Sequence, residues 1–325
     1  MPMCLKNSIV KKRVLITADI DKYIQNRFEI LGYSVDVKPE IEREELLRII
    51  ADYTVLIITT YTKVDKELID NAANLKIVGR VGSGMENVDV AYCSQKDIAC
   101  VNSPEGNGNA VGEHCLAMLL NLFNNINKAN TELKKGLFLR EENRGQELDG
   151  KVVGIIGYGH TGQAFAKKLR GFDVEILVYD KYKPAQDDFV KNVSLEEIKV
   201  SCDVISFHVP YNEETHYYCN TSFVNDCTKS PVIINTSRGA VVNTTDIIDA
   251  LENKKINGFC VDVYEDEPVT KKKVHVPQVY QKLFSFENVI ATPHIAGWTV
   301  ESKYKLTKIL MDKIEGLVNI LNSKD

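Results

Sequence analysis

The sequence predicts an α/β protein with two doubly wound parallel-sheet domains. Three observations predict it. Short, β-rich apolar runs alternate with helical patterns along the chain, the signature of strands buried between two helical layers. A glycine turn, Gly157-Tyr158-Gly159-His160-Thr161-Gly162, directly follows one such run and opens a helical pattern. That turn lies in mid-chain, so another α/β unit must precede it, and 325 residues give each unit an ample core.

The elements follow in order. Before the turn, strands are expected at Val14–Thr17, Ser34–Val37, Val55–Thr59, Ile77–Gly79 and Ile98–Asn102. Helical patterns such as Glu42–Ile50 and Lys66–Ala73 fall between them. Asn102–Asn109 reads as a loop by composition. A long helix is expected over Ala110–Ala129, apolar early (Val111, Leu116, Met118, Leu119) and polar later (Asn124, Asn125, Asn127), carrying the chain from one domain to the other. After the turn come strands at Val174–Tyr179, Val204–Phe207, Val232–Asn235, Phe259–Val263 and Val289–Thr292, with a short helix at Asp246–Glu252. From Val300 an amphipathic helix with Leu310, Ile314, Leu317 and Leu321 near one face is expected to pack back on the first unit.

The glycine turn has the chemistry of a dinucleotide cradle. Gly157 permits a tight turn, Gly159 lets backbone approach a pyrophosphate, and Gly162 lets helix and strand pack closely. The helix start at His160 and Thr161 then offers free N–H groups to phosphate. Phe165 and Leu169 give the helix an inward face, and Gly171 reads as its C-cap. Asp180, 23 residues after Gly157, stands where a carboxylate binds a ribose diol and repels a 2′-phosphate. NAD is therefore the expected cofactor rather than NADP, although Lys181 and Lys183 follow at once and soften that preference.

Composition narrows the class. The chain is 44% hydrophobic and 26% charged with net charge −5, and it has no long basic run, so no nucleic-acid partner is expected. The Lys271–Lys273 triplet reads as a solvated loop. Eight scattered cysteines form no C-x-x-C and no zinc spacing, so no metal is expected and the thiols suit a reducing compartment. The N-terminus has no signal-peptide core and no apolar stretch is long enough for a bilayer, so the expectation is a cytoplasmic protein without a membrane partner.

Three polar segments close strands in the second half: Asn235–Gly239, Asp262–Pro268 and Thr292–Thr299. Ligands of open parallel sheets bind outside the carboxyl ends of the strands, so Arg238, Glu267 and His294 are expected to converge there. The trio suits hydride transfer to a carbonyl. Histidine can exchange the accompanying proton near neutral pH, a carboxylate orients its ring, and arginine offers a fixed fork of donors. Taken singly, each has a plainer reading: a surface ion pair, a solvated acidic turn, a structural hydrogen bonder.

Together these segments resemble the D-isomer-specific 2-hydroxyacid dehydrogenase family. So do Val78–Val90, Val101–His114 and His208–Thr215, and the motifs run in family order from about residue 55 to 300. The resemblance implies a Rossmann NAD-binding domain, residues 107–296, inserted in a flavodoxin-like substrate domain made of residues 1–106 and 297–325. It implies Arg238 as the substrate-binding arginine, His294 as acid/base and Glu267 as its partner. It places Gly157, Gly159, His160, Thr161, Gly162, Asp180, His208, Pro210, Thr236 and Asp262 at the cofactor, with Thr236 and Asp262 on the nicotinamide half. Arg80, Val81, Gly82 and Ser83 form the substrate loop, the backbone N–H groups of Val81 and Gly82 chiefly meeting a carboxylate. Glu267 separates the chain from formate dehydrogenases, which carry an amide there. The Arg80 loop is most similar to that of D-3-phosphoglycerate dehydrogenases, which would imply serine biosynthesis, although Thr59 stands where such relatives often have another arginine. Hydroxypyruvate or glyoxylate reduction is the alternative, and an NAD-sensing corepressor is the alternative of another class. A homodimer is expected, with the Val111–Phe123 stretch crossing to the partner. Trp298 is expected either to wall the substrate pocket or to pack in the core.

Overall fold

A computed structural model describes residues 12–267 and 275–322. The chain divides into two compact units, one of Met1–Asn107 with Thr299–Asp325 and one of Gly108–Trp298.

The first unit is a five-stranded parallel sheet. Its strands are β1 (Arg13–Ile16), β2 (Ser34–Val37), β3 (Val55–Ile58), β4 (Ile77–Arg80) and β5 (Ala99–Asn102), in the order β2-β1-β3-β4-β5. That is the flavodoxin-like order. β3 reads Val-Leu-Ile-Ile with every residue buried, as a strand covered on both faces must be. Alternate side chains enter opposite cores. Leu15, Leu56, Ile58 and Val78 meet Leu46, Leu68 and Cys93 on one face. Val14, Ile16, Val55 and Ile57 meet Ile24 and Phe28 on the other. The C-terminal helix Val300–Asn322 closes that second face with Leu310, Met311 and Ile314, all fully buried, while Leu317 is partly buried beside them. Leu321 lies outside the described side chains.

The second unit is a seven-stranded parallel sheet. Its strands are β6 (Val152–Ile156), β7 (Glu175–Tyr179), β8 (Lys191–Asn192), β9 (Val204–Phe207), β10 (Val232–Asn235), β11 (Gly258–Val261) and β12 (Val289–Ala291). Their order is β12-β11-β10-β9-β6-β7-β8, the Rossmann arrangement. The order reverses between β6 and β9, and such a switch point leaves a crevice at the strand ends. Strand β8 has two exposed polar residues and therefore no apolar signal in the sequence.

Four local expectations are corrected or bounded. The single helix over Ala110–Ala129 is two helices, Gly108–Phe123 and Ile126–Lys134. Asn125 breaks them by adopting φ +51°, and the Asn124 side chain returns a hydrogen bond to the Leu120 carbonyl at 3.0 Å. Asparagine tolerates that left-handed turn better than other non-glycine residues. Gly171 is not a left-handed cap: the helix His160–Leu169 ends on Arg170 at φ −56°, and the left-handed residue of that connection is Asp173 at φ +51°. Asn102–Asn109 holds less loop than its composition suggests, since Asn102 ends β5, Pro104–Gly106 is a 3₁₀ turn and Gly108 already starts a helix. Pro268 and the Lys271–Lys273 triplet lie outside the described residues. No described helix is long and apolar enough to cross a membrane.

Candidate active site

The glycine turn sits at the end of β6, beside the switch point. Gly157 has φ +89°, a conformation that tolerates little but glycine. A Cβ on Gly162 would stand 2.2 Å from the Gly157 carbonyl oxygen, so helix and turn touch only because that atom is missing. A Cβ on Gly159 would meet nothing within 4 Å. The space in front of Gly159 is thus open, and the first N–H groups of the helix His160–Leu169 have no acceptor within the helix. That is the shape and charge a pyrophosphate needs.

Neighbouring side chains are held in place. The Thr161 hydroxyl bonds His208 Nδ1 at 3.1 Å, and His208 Nε2 bonds the Ser206 hydroxyl at 2.8 Å. Burial pushes the His208 imidazole down to about 3, so the ring is neutral at ordinary pH. With both ring nitrogens engaged, His208 steadies Thr161 and has no nitrogen left for a ligand. Pro210 is exposed just beyond it. Asp180 accepts three backbone N–H groups, from Tyr158 at 2.7 Å, Tyr182 at 3.0 Å and Lys183 at 2.9 Å. Burial pushes its carboxyl up, but those three donors outweigh burial and hold it below its ordinary value. An open amide cradle followed by an ionised, oriented carboxylate fits a dinucleotide with a free ribose diol.

On the other side of the switch point, the ends of β10, β11 and β12 are tied together. Glu267 Oε2 meets His294 Nδ1 at 2.5 Å, and Glu267 Oε1 accepts the Tyr264 N–H at 2.8 Å. His294 has φ +56°, a conformation that persists only where the surroundings over-determine it. Those surroundings are Asp262 and Tyr264. Asp262 is fully buried and accepts the Thr292 hydroxyl at 2.6 Å and the N–H groups of Ile295 and Ala296 at 2.8 Å each. The Tyr264 hydroxyl donates to the Thr292 carbonyl at 2.9 Å. Asp262, expected at the nicotinamide, therefore anchors the His294 loop and presents almost no surface to a ligand.

Arg238 follows β10 and is half-buried; its Nη1 donates to the Ser237 carbonyl at 2.7 Å. A Cβ on the next residue, Gly239, would lie 1.9 Å from the Tyr264 carbonyl carbon and oxygen. Missing that atom, the Arg238 turn lies directly on the segment that carries Glu267. Thr236 bonds the buried Cys115 thiol at 3.2 Å. His114 Nε2 reaches the Thr292 hydroxyl at 2.9 Å, tying the helix Gly108–Phe123 to the same loop. The sequence did not single out Gly239, Tyr264, Thr292 or His114, because each acts through a partner 25 or more residues away. Trp298 is 74% exposed, which excludes core packing.

In the first unit, the turn after β4 holds Arg80–Ser83. Val81 N–H donates to the Ile58 carbonyl at 2.9 Å, so the expected role of that N–H toward a carboxylate is corrected: it is spent on the sheet. The Gly82 N–H donates to the Ser103 hydroxyl at 3.3 Å, and the Ser103 N–H returns to the Gly82 carbonyl at 3.0 Å. Asn102 Nδ2 donates to the Ser83 carbonyl at 2.5 Å, and the Ser83 hydroxyl to Asn107 at 2.9 Å. Asn102, Ser103 and Asn107, read as loop composition, are the brace of this turn. Arg80 Nη2 donates to the Thr60 hydroxyl at 3.2 Å.

Comparison with known proteins agrees with this geometry. The family model described as "D-isomer specific 2-hydroxyacid dehydrogenase, NAD binding domain" matches residues 116–296. The chain belongs to this family. Its cofactor is accordingly NAD, and the residues of the cradle described above fit it. Among relatives of this chain, a hydroxypyruvate reductase of Thermotoga maritima is 34% identical over 274 residues, covering 84% of this chain and 88% of that protein. A D-3-phosphoglycerate dehydrogenase of Archaeoglobus fulgidus is 32% identical over 305 residues, covering 93% of this chain but 56% of that protein. The chain thus spans little more than half the length of the phosphoglycerate relative. A solved D-lactate dehydrogenase of Aquifex aeolicus, complexed with NAD and lactic acid, superposes with TM-score 0.81 at 26% identity, covering 95% of this chain and 96% of that one.

Proposed function

We propose that this protein is an NAD-dependent oxidoreductase that interconverts a D-2-hydroxy acid and its 2-keto acid. The observation that carries the reading is the His294–Glu267 pair at 2.5 Å, in the same unit as the dinucleotide cradle. Bound NAD supplies the hydride acceptor, or as NADH the donor. Glu267 occupies His294 Nδ1, which leaves Nε2 to exchange a proton with the substrate oxygen. Glu267 is steadied in turn, because its second oxygen accepts the Tyr264 N–H. Asp262 and Tyr264 keep the His294 loop at the angle this exchange needs, and Arg238 offers donors to the substrate's carbonyl and carboxylate. The cofactor residues are Gly157, Gly159, His160, Thr161, Gly162 and Asp180, with Pro210 and Thr236 at the edges. Residues 107–296 act as the NAD domain and residues 1–106 with 297–325 as the substrate domain.

For the substrate, the preferred reading is a D-3-phosphoglycerate-like acid, its phosphate taken by Arg80, with serine biosynthesis in the cytoplasm as the setting. The Archaeoglobus relative supports it. Reduction of hydroxypyruvate or glyoxylate is the second reading, favoured by the Thermotoga relative at 34% identity. A homodimer is the proposed assembly; exposed Ile126, Leu133, Leu137 and Phe138 supply apolar surface on the NAD unit, and light scattering giving a monomer mass would refute it. Steady-state kinetics with 3-phosphoglycerate, hydroxypyruvate, glyoxylate and pyruvate, followed at the nicotinamide absorbance, tests the reading. Turnover of none of them would favour a nucleotide-sensing protein over an enzyme.

A further inference from the structure

The segments that follow β7 and β9 flank the glycine turn of β6, since β6 lies between those strands in the sheet. Across that turn they meet. Lys181 Nζ bonds Glu214 Oε2 at 2.7 Å, and the Tyr182 hydroxyl donates to the same oxygen at 2.9 Å. Tyr182 also gives its N–H to Asp180, so one residue links the ribose carboxylate to a second acid. Glu214 is firmly presented. Asn212 Oδ1 accepts the N–H groups of Glu214 and Thr215 at 3.0 Å each, and the Thr215 hydroxyl donates to the Pro210 carbonyl at 2.6 Å. The pair is about half exposed on both sides, and exposed ion pairs add little stability. Its place beside Asp180 calls for a different account.

We propose that Glu214 is a cofactor-selectivity residue: it holds and neutralises Lys181, the cation next to Asp180, so that the site takes NAD and rejects a 2′-phosphate. This rests on the reading of the glycine turn as the NAD site. A 2′-phosphate is dianionic near neutral pH and needs a lysine or arginine in reach. Lys181 and Lys183, read from the sequence, looked like such partners. The fold commits Lys181 to Glu214 instead, and what the sequence suggested as a softening of NAD preference becomes part of its enforcement. The Lys181 and Tyr182 hydrogen bonds hold the Glu214 carboxyl below its ordinary value, which keeps it charged.

The test is nucleotide binding, read by the fluorescence of NADH and NADPH on titration with the full chain at low ionic strength. In Glu214→Gln, the NADPH-to-NADH ratio of Kd is expected to fall by up to about fivefold, because NADPH binds more tightly. Adding Lys181→Ala to that variant should remove the gain, since the freed ammonium is what meets the phosphate. Raising salt should shrink it. An unchanged ratio in Glu214→Gln, or an equal loss for both nucleotides, overturns the proposal while the NAD site stands. A gain that survives Lys181→Ala overturns the role given to Lys181. A wild-type protein that binds neither nucleotide overturns both this proposal and the NAD site.

Discussion

Two turns of this molecule occupy the same place in the same kind of sheet and differ in what the backbone does after their first two residues. The turn after β6 spends its first two amides, Gly157 on the Tyr179 carbonyl and Tyr158 on Asp180, and then opens a helix whose first amides have no acceptor within it. The turn after β4 spends its amides, Val81 on Ile58 and Gly82 on Ser103. Their glycines differ in the same sense. Gly159 has an ordinary φ of −79° and open space where a Cβ would stand, so what it preserves is room. Gly82 has φ +146°, and a Cβ there would lie 1.5 Å from Arg80 Nη1, so what it preserves is a backbone conformation and the seat of a side chain. A strand end becomes an amide cradle when a helix starts at once, as at His160. It becomes a platform for a guanidinium when a second segment, here Asn102–Asn107, ties the turn down.

That contrast can be broken from either side. The largest effect is expected at the chemistry beside the first turn: His294→Ala should lower turnover by about 10²–10⁴-fold while NADH still binds, as kinetics and nucleotide titration would show. Unchanged turnover would sink the role of the His294–Glu267 pair. Gly159→Ala should weaken NADH binding with little change in melting temperature, because its Cβ enters the open space before the turn and meets no protein atom within 4 Å. If melting drops instead, Gly159 is structural and the contrast with Gly82 fails. Arg80→Ala should raise KM for a phosphate-bearing substrate by about 10–100-fold, the worth of a charged hydrogen bond, and spare one without phosphate. Equal KM values for both substrate kinds would remove Arg80 as the phosphate site.

Smaller effects sharpen the picture. His208 is neutral when folded, with its pKa pushed down to about 3 from 6.5. The unfolded chain therefore binds the extra proton first, and stability is lost as pH falls from about 6.5 toward 3, by at most about 1.4 kcal/mol per pH unit. Denaturant melts of wild type and His208→Asn across that window should show a shallower acid loss in the variant. Ser103→Ala should cost about 1 kcal/mol of stability, as its hydroxyl leaves the Gly82 N–H unpaired. A cost near zero would mean the Arg80 turn does not depend on that brace.

Much of this was legible in the sequence, and the illegible part has a common cause. Strand β3, the glycine turn and the buried face of Leu310 and Ile314 were readable because burial and turn geometry act on residues a few positions apart. The break at Asn125 was missed because apolar periodicity runs up to it and one asparagine's φ decides it. Strand β8 was missed because two exposed polar residues pair only when a neighbour is already in place. The resemblance placed Asp262 at the nicotinamide, and the sequence could not show that three donors 30 to 34 residues on take its carboxylate.

By itself, then, the sequence determined the α/β class, the two units and the dinucleotide cradle, and it offered Arg238, Glu267 and His294 as candidates at strand ends. Each of these follows from local pattern: period, glycine spacing, residue type at a strand end. The tertiary structure decided which donors and acceptors remain free. It closed Val81 and Asp262, paired Glu267 with His294, seated Arg238 through Gly239 on Tyr264, and turned Lys181 toward Glu214. The reason is physical: hydrogen-bonding capacity is finite, and which partner takes it depends on segments that meet only when the sheet is assembled.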